Sequence, residues 1–231
     1  MINKILKELE LKKDKNQAII LSRFFKTGKG EYGEGDIFWG IKVPVQRVVS
    51  KKFKDTSLND IKKLMDSDVH EVRLTGLFIL IEKYKEDEDK RKIFDFYLNN
   101  RKKINNWDLV DLSSPKIVGD FLLRNKEERK ILYSLAKSNN LWDRRIAIVS
   151  TFSLIKENIF EETINISEML LNDDHDLIHK SVGWMLREVG KRDKEIEKNF
   201  LNKYYRLMPR TMLRYSIEKF GIKEREFYMK K

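Results

Sequence analysis

From Pro44 onward, almost every segment of the chain places apolar residues three and four positions apart, with charged residues between them. Residues so spaced fall on one stripe of an α-helix. In VRLTGLFILIEKY the stripe is Leu74, Leu77, Phe78, Ile81 and Tyr84; RKILYSLAKS, IAIVSTFSLIKEN and LIHKSVGWMLREV are built the same way. No stretch alternates apolar and polar residues as a half-buried strand does. Loops are short and often begin with an Asp or Asn of the kind that caps a helix. The pattern predicts an all-α protein.

The caps recur at a steady interval. In SDVHEVRLTG, INNWDLVDLS, NNLWDRRIAI and HDLIHKSVGWM a polar residue precedes an apolar helix. With Asp68, Asn105, Asn140 and Asp176 as the caps, the intervals are 37, 35 and 36 residues. That period, made of paired helices, predicts an α-solenoid of HEAT-like repeats, a single domain over residues 1–231 with a concave face for an extended ligand. Counted from the caps, Trp107 and Asp111 stand two and six positions into their helix, Arg145 five into the next and Trp184 eight into the one after. At about 100° per residue the four spread over roughly half a turn, so they are expected to project from one side of three adjacent helices.

KTGKGEYGEGD, residues 26–36, holds four of the ten glycines and a literal G-x-G-x-x-G at Gly28, Gly30 and Gly33. A phosphate-cradling loop requires a strand before those glycines and a helix opening directly after them. Here QAIILSRFFK precedes them with helical spacing at Ile19, Ile20 and Phe24, and IFWGIKVP follows them into Pro44. Glu31, Glu34 and Asp36 place negative charge where an anion would sit, and no G-K-[ST] ending is present. Residues 27–37 therefore read as an interhelical loop rich in turn glycines.

Composition narrows the partners. Forty-eight Lys and Arg against thirty-seven Asp and Glu leave +11 on 231 residues, an excess that points to a polyanion, nucleic acid before others. The absence of cysteine excludes disulfides and thiol catalysis and fits a reducing cytoplasm. MINKILKELELKKDK reads as the start of an amphipathic helix and not as a signal peptide, and no apolar run is long enough for a membrane span. His175 and His179 stand four apart but outside any H-E-x-x-H pattern, so no metal site is expected.

Trp107, Trp184, Asp111 and Arg145 each have an ordinary use. Tryptophan at helical spacing is usually core, Asp111 suits a turn at DLSSP, and Arg145 beside Arg144 suits a solvated face. Brought together they describe other chemistry. Aromatic faces attract cations, an arginine grips phosphate bidentately, and a carboxylate stabilises developing positive charge or holds a water. That set fits a cationic, phosphate-linked substrate such as an alkylated purine nucleotide in DNA.

NNWDLVDLSSPKIVGDFL, NNLWDRRIAIVSTF, VGWMLREVGKRD and MPRTMLRYSIEKF resemble the AlkD family of bacterial alkylpurine DNA glycosylases, and the resemblance runs over nearly the whole chain. It implies a HEAT-like solenoid with a basic groove for duplex DNA. It also implies monofunctional hydrolysis of the N-glycosidic bond of cationic N3- and N7-alkylated purines, initiating base excision repair. No metal or organic cofactor and no obligate protein partner are implied; a monomer in a bacterial-type cytoplasm, on the nucleoid when bound to DNA, is expected. By motif, Trp107 and Trp184 would be aromatic walls on the deoxyribose and backbone, Asp111 the catalytic carboxylate, and Arg145 a phosphate ligand. Such enzymes act without drawing the base into a deep pocket, which suits a leaving group that already carries positive charge.

Lys42, Arg144, Lys180, Arg187, Arg210 and Arg214 are the expected groove contacts, Arg187 standing one turn after Trp184. The resemblance puts the glycine-rich segment near the mouth of the groove, where it reads either as a mobile flap able to order against DNA, with Lys26, Lys29 and Lys42 nearest the backbone, or as a disordered surface loop with no role. Two alternatives compete: a non-catalytic relative that binds damaged or branched DNA, and a protein-binding HEAT scaffold. A steep loss of binding with rising salt marks the nucleic-acid binders.

Overall fold

Helix is the only extended regular structure in the computed structural model, which describes residues 1–230; among them an isolated bridge joins Ile37 to Val69 and there is no strand. The helices gather into two compact units, Met1–Leu109 and Val110–Lys231. The first contains α1 (Ile2–Glu10), α2 (Lys15–Phe24), α3 (Val43–Lys52), α4 (Leu58–Met65), α5 (His70–Glu86), α6 (Lys90–Asn99) and the start of α7 (Trp107–Ser114). The second takes the rest of α7, then α8 (Asp120–Arg124), α9 (Lys130–Ala136), α10 (Leu141–Ser150), α11 (Phe152–Lys156) and α12 (Glu161–Met169). It closes with α13 (Asp176–Gly190), α14 (Lys194–Tyr204), α15 (Arg210–Ser216) and α16 (Ile222–Met229).

In the N-terminal unit α5 is the central element, packed by α3, α4 and α6. Its predicted stripe is buried, but so is every residue from His70 to Ile81. A helix enclosed on all sides has no solvent face for its polar residues, so His70, Glu71 and Arg73 must find partners. Glu71 finds three: its carboxylate accepts the backbone N–H groups of Trp39, Gly40 and Ile41, the shortest at 2.7 Å from Gly40. This clasp fixes the FWGIK segment that leads into α3. Gly40 is held at φ +80°, and a Cβ there would stand 2.1 Å from the Asp14 carbonyl oxygen. α2 is helical as the spacing predicts, yet Ile19, Ile20 and Phe24 face solvent and no residue of that helix is buried.

In the C-terminal unit α9 packs on α10, α10 on α13, and α13 on α14 and α15. The close approach of α13 to α15 needs Gly183, where a Cβ would meet the Met212 carbonyl at 2.4 Å. α7 runs through a π-helical turn, Pro115–Gly119, into α8; Pro115 has no N–H to continue the regular ladder. The repeat is present: α5, α7, α10 and α13 start at residues 70, 107, 141 and 176, which are 37, 34 and 35 residues apart. Three of the four expected caps are displaced. Asn140 caps α10, accepting from Trp142 and Asp143. At α13 the cap is His175, at α5 it is Val69, and at α7 it is the Asn106 side chain that accepts from the Trp107 N–H. Asp, Asn and His can each satisfy a first-turn amide, so polarity near a boundary does not single out one residue.

The Gly40 geometry makes a direct prediction. Gly40→Ala places a side chain in the left-handed region against a backbone carbonyl, and is expected to lower unfolding free energy by about 2–4 kcal/mol. Urea denaturation measures it; a loss under about 0.5 kcal/mol would refute the described packing.

Candidate functional site

Trp107 opens α7 in the N-terminal unit, in contact with Phe24 and Phe25 and with Tyr32 of the glycine-rich segment. Its indole ring stacks on Phe25 with centroids 5.0 Å apart and meets Phe24 edge-on at 5.8 Å. Its indole N–H donates to the Tyr32 hydroxyl at 3.2 Å. Phe25 in turn stacks on Phe38, and Phe38 on the His70 ring. Trp107 is half-buried, so one part of the ring is clamped and another meets solvent.

Beneath this stack lies a buried ionic cluster that motif reading missed. The His70 Nε2 is 2.8 Å from Asp108 Oδ2, and its Nδ1 is 3.2 Å from Asp36 Oδ2. Asp36 also accepts from Arg73 at 2.6 Å and from the Asn106 amide at 3.1 Å. Burial pushes the His70 pKa down, but the Asp108 charge and hydrogen bond, with the Asp36 bond, override it against opposing Arg73; the value is pushed up to about 9. Burial raises Asp36, and its bonds to His70, Arg73 and Asn106 more than reverse that, leaving it below the usual carboxylate range. The cluster is therefore two carboxylates, an imidazolium and a guanidinium. The available signal was that His70 and Arg73 open a helix whose first twelve residues are apolar enough to be enclosed, where charged residues have to be paired.

The segment 26–36 is a run of turns closed by its own side chains. The Gly28 N–H donates to Glu31 Oε2 at 2.9 Å, the Gly30 N–H to Glu34 Oε2 at 2.8 Å, and the Gly33 N–H to the Lys26 carbonyl at 3.1 Å. All three fingerprint amides are occupied, those of Gly28 and Gly30 by carboxylates and that of Gly33 by a backbone carbonyl.

Asp111 belongs to the C-terminal unit. Arg145, from α10, holds it with a two-pronged grip: Nε to Oδ1 at 2.9 Å and Nη2 to Oδ2 at 2.7 Å. The remaining Arg145 nitrogen donates to the Leu177 carbonyl in the first turn of α13. The arginine side chain is 6% exposed and the Asp111 side chain 15%. Arg145, expected to grip phosphate, is committed here to the carboxylate and to α13. Trp184, on α13, is half-buried; its indole N–H donates to Glu188 at 3.1 Å and its ring lies 5.8 Å from Phe152.

The expected groove residues divide by their partners. Arg144 is bound to Asp173 and to the Ser138 and Asn139 carbonyls, Lys180 to Asp176 at 2.7 Å, Arg187 to Glu218, and Arg210 to the Met229 carbonyl at 3.0 Å. Lys42, in the N-terminal unit, and Arg214, in the C-terminal unit, are solvent-exposed. His175 caps α13 through Nδ1, and His179 bonds the Asp173 carbonyl, so both rings have local work. Among the described residues no helix is long and apolar enough to cross a membrane.

Residues 5–220 match the family model described as DNA alkylation repair enzyme. The chain belongs to that family. DNA alkylation repair enzymes also supply its structural likeness: a solved structure described as a predicted DNA alkylation repair enzyme from Enterococcus faecalis superimposes with a TM-score of 0.74. The likeness covers 91% of this chain and 98% of that one at 16% identity, and it establishes a shared all-helical fold. No functionally curated protein matches the chain.

His70 ties the stability of this DNA alkylation repair family member to pH. A histidine whose pKa rises from 6.5 to about 9 on folding contributes its full stabilisation below pH 6.5 and loses it as pH climbs through about 9. The size is roughly 2–4 kcal/mol at about 1.4 kcal/mol per unit. Glu197, buried and pushed up to about 8, also loses stability with rising pH, over its own range from 4.5 to about 8. The difference between wild type and His70→Gln isolates the histidine. Unfolding free energies at pH 6 and 9.5 are expected to show the wild-type advantage shrinking by that amount; an advantage constant with pH would mean His70 is not the titrating group.

Proposed function

We propose that the chain is a DNA glycosylase that hydrolyses the N-glycosidic bond of cationic N3- and N7-alkylated purines in duplex DNA. The observation that carries this reading is the Asp111 carboxylate held by Arg145 in a chain of the DNA alkylation repair family. The resemblance in W-D-x-V-D and G-W-x-L-R-E motifs and the +11 net charge support a DNA substrate.

In this proposal an alkylated purine leaves as a neutral base, so no strong general acid is required. Positive charge builds on the sugar as the bond lengthens, and a preorganised carboxylate stabilises it. Arg145 fixes both oxygens of Asp111. Trp107 and Trp184 offer faces for the deoxyribose and backbone, and their π-clouds favour a cationic nucleotide by about 0.5–2 kcal/mol. Phosphate contacts fall first to exposed cations such as Lys42 and Arg214; Arg144, Lys180 and Arg187 would have to exchange a carboxylate for a phosphate.

Duplex DNA bearing N7-methylguanine or N3-methyladenine, incubated with wild type and with Asp111→Asn, tests the proposal. Wild type is expected to release free base and leave abasic sites, and the variant to be slower by about 10²–10³-fold while melting within a few degrees of wild type. Absence of release by a folded wild type that binds DNA tightly and salt-sensitively would replace the glycosylase reading with that of a non-catalytic DNA-binding relative.

A further inference from the structure

We propose that the glycine-rich segment is the positioning device for Trp107, with Asp36, His70 and Tyr32 as positioning residues. The inference rests on the role given to Trp107 in the proposed reaction.

Three separate holds reach three consecutive residues. On the near side, Asp36 accepts from the Asn106 Nδ2, and the Asn106 Oδ1 accepts from the Trp107 backbone N–H at 2.8 Å. On the far side, Asp36 accepts from His70, and His70 binds Asp108. In the middle, Tyr32 takes the indole N–H, while Phe25 just before the segment covers one ring face. One carboxylate thus fixes the residues before and after the tryptophan, and one hydroxyl fixes the ring between them.

The segment is stiff enough to transmit this. Glu31 and Glu34 bond back to Gly28 and Gly30, the Ile37 N–H donates to the Asp68 carbonyl at 3.0 Å, and the His70 N–H donates to the Ile37 carbonyl at 2.8 Å. Stability alone does not call for this arrangement, because a half-exposed ring on a helix end needs no hydroxyl aimed at its N–H. Orientation does: a ring that must meet a nucleotide in one pose gains from having both its backbone and its N–H fixed beforehand.

The test reads Trp107 directly. In the ¹H–¹⁵N spectrum of the full chain, the Trp107 indole signal is identified by its loss in Trp107→Phe. Tyr32→Phe removes one oxygen and leaves the ion cluster intact; His70→Gln removes the charge and keeps a hydrogen-bonding group. Both are expected to shift the Trp107 indole signal and speed its exchange with solvent, leaving the Trp142 and Trp184 signals in place. Single-turnover release of N7-methylguanine by Tyr32→Phe is expected to fall roughly tenfold with DNA affinity unchanged. An unmoved Trp107 signal in both variants overturns the proposal whatever the activity. So does a shifted signal with an unchanged single-turnover rate. If wild type itself releases no base, the glycosylase reading fails, and the indole signal alone decides whether the segment positions the ring.

Discussion

Burying the Asp36 carboxylate is the constraint around which the N-terminal unit is arranged. A carboxylate taken out of water costs several kcal/mol unless charge and hydrogen bonds replace the solvent. Asp36 receives three donors from two parts of the chain: Arg73 and His70 on α5, and Asn106 just before α7. The fourth ion, Asp108, makes the group neutral overall and keeps His70 protonated. Such a cluster adds little net stability over an apolar core of the same shape. What it adds is register: sliding α5 by one residue or re-routing the loop would strand a charge in the interior.

The same logic operates around Arg145 in the C-terminal unit, with a different outcome. Three of its N–H groups serve one carboxylate on α7 and one carbonyl on α13, so a single side chain from α10 ties together three helices of that unit. A phosphate approaching Arg145 would compete with the Asp111 carboxylate that the guanidinium already holds. In the proposed reaction the carboxylate is the chemical member of the pair, and the arginine is what holds it in place. This division of labour also explains why a large positive net charge does not translate into a row of unpaired arginines: Arg144, Arg187 and Arg129 are each matched to an acid.

Much of the fold was legible because its information is local. Helical spacing of Leu74, Leu77, Phe78, Ile81 and Tyr84 states which face packs, and the interval between helix starts states the repeat. The proximity of Trp107 and Asp111 on one helix was legible for the same reason, since they are neighbours in sequence. The partners were not. Asp36 lies 34 residues from His70 and 70 from Asn106, and nothing in either local pattern connects them. The exposure of Ile19, Ile20 and Phe24 was equally hidden, because helical spacing defines a face without saying whether anything covers it.

The glycine-rich segment shows why a phosphate fingerprint misleads when read by letters alone. Successive backbone N–H groups in turn conformations form a concavity that suits an anion, and glycine is what permits those turns. In this chain the anion is supplied internally: Glu31 and Glu34 sit where a phosphate would, bonding the Gly28 and Gly30 amides. The acidic residues that argue against a nucleotide are the same residues that make the turns rigid. A phosphate entering there would have to displace two carboxylates that are tethered three and four residues away, at high effective concentration, and would meet their charge on arrival. The Gly28 and Gly30 amides are each taken by a carboxylate of the segment itself, so the glycines here serve turns closed from within.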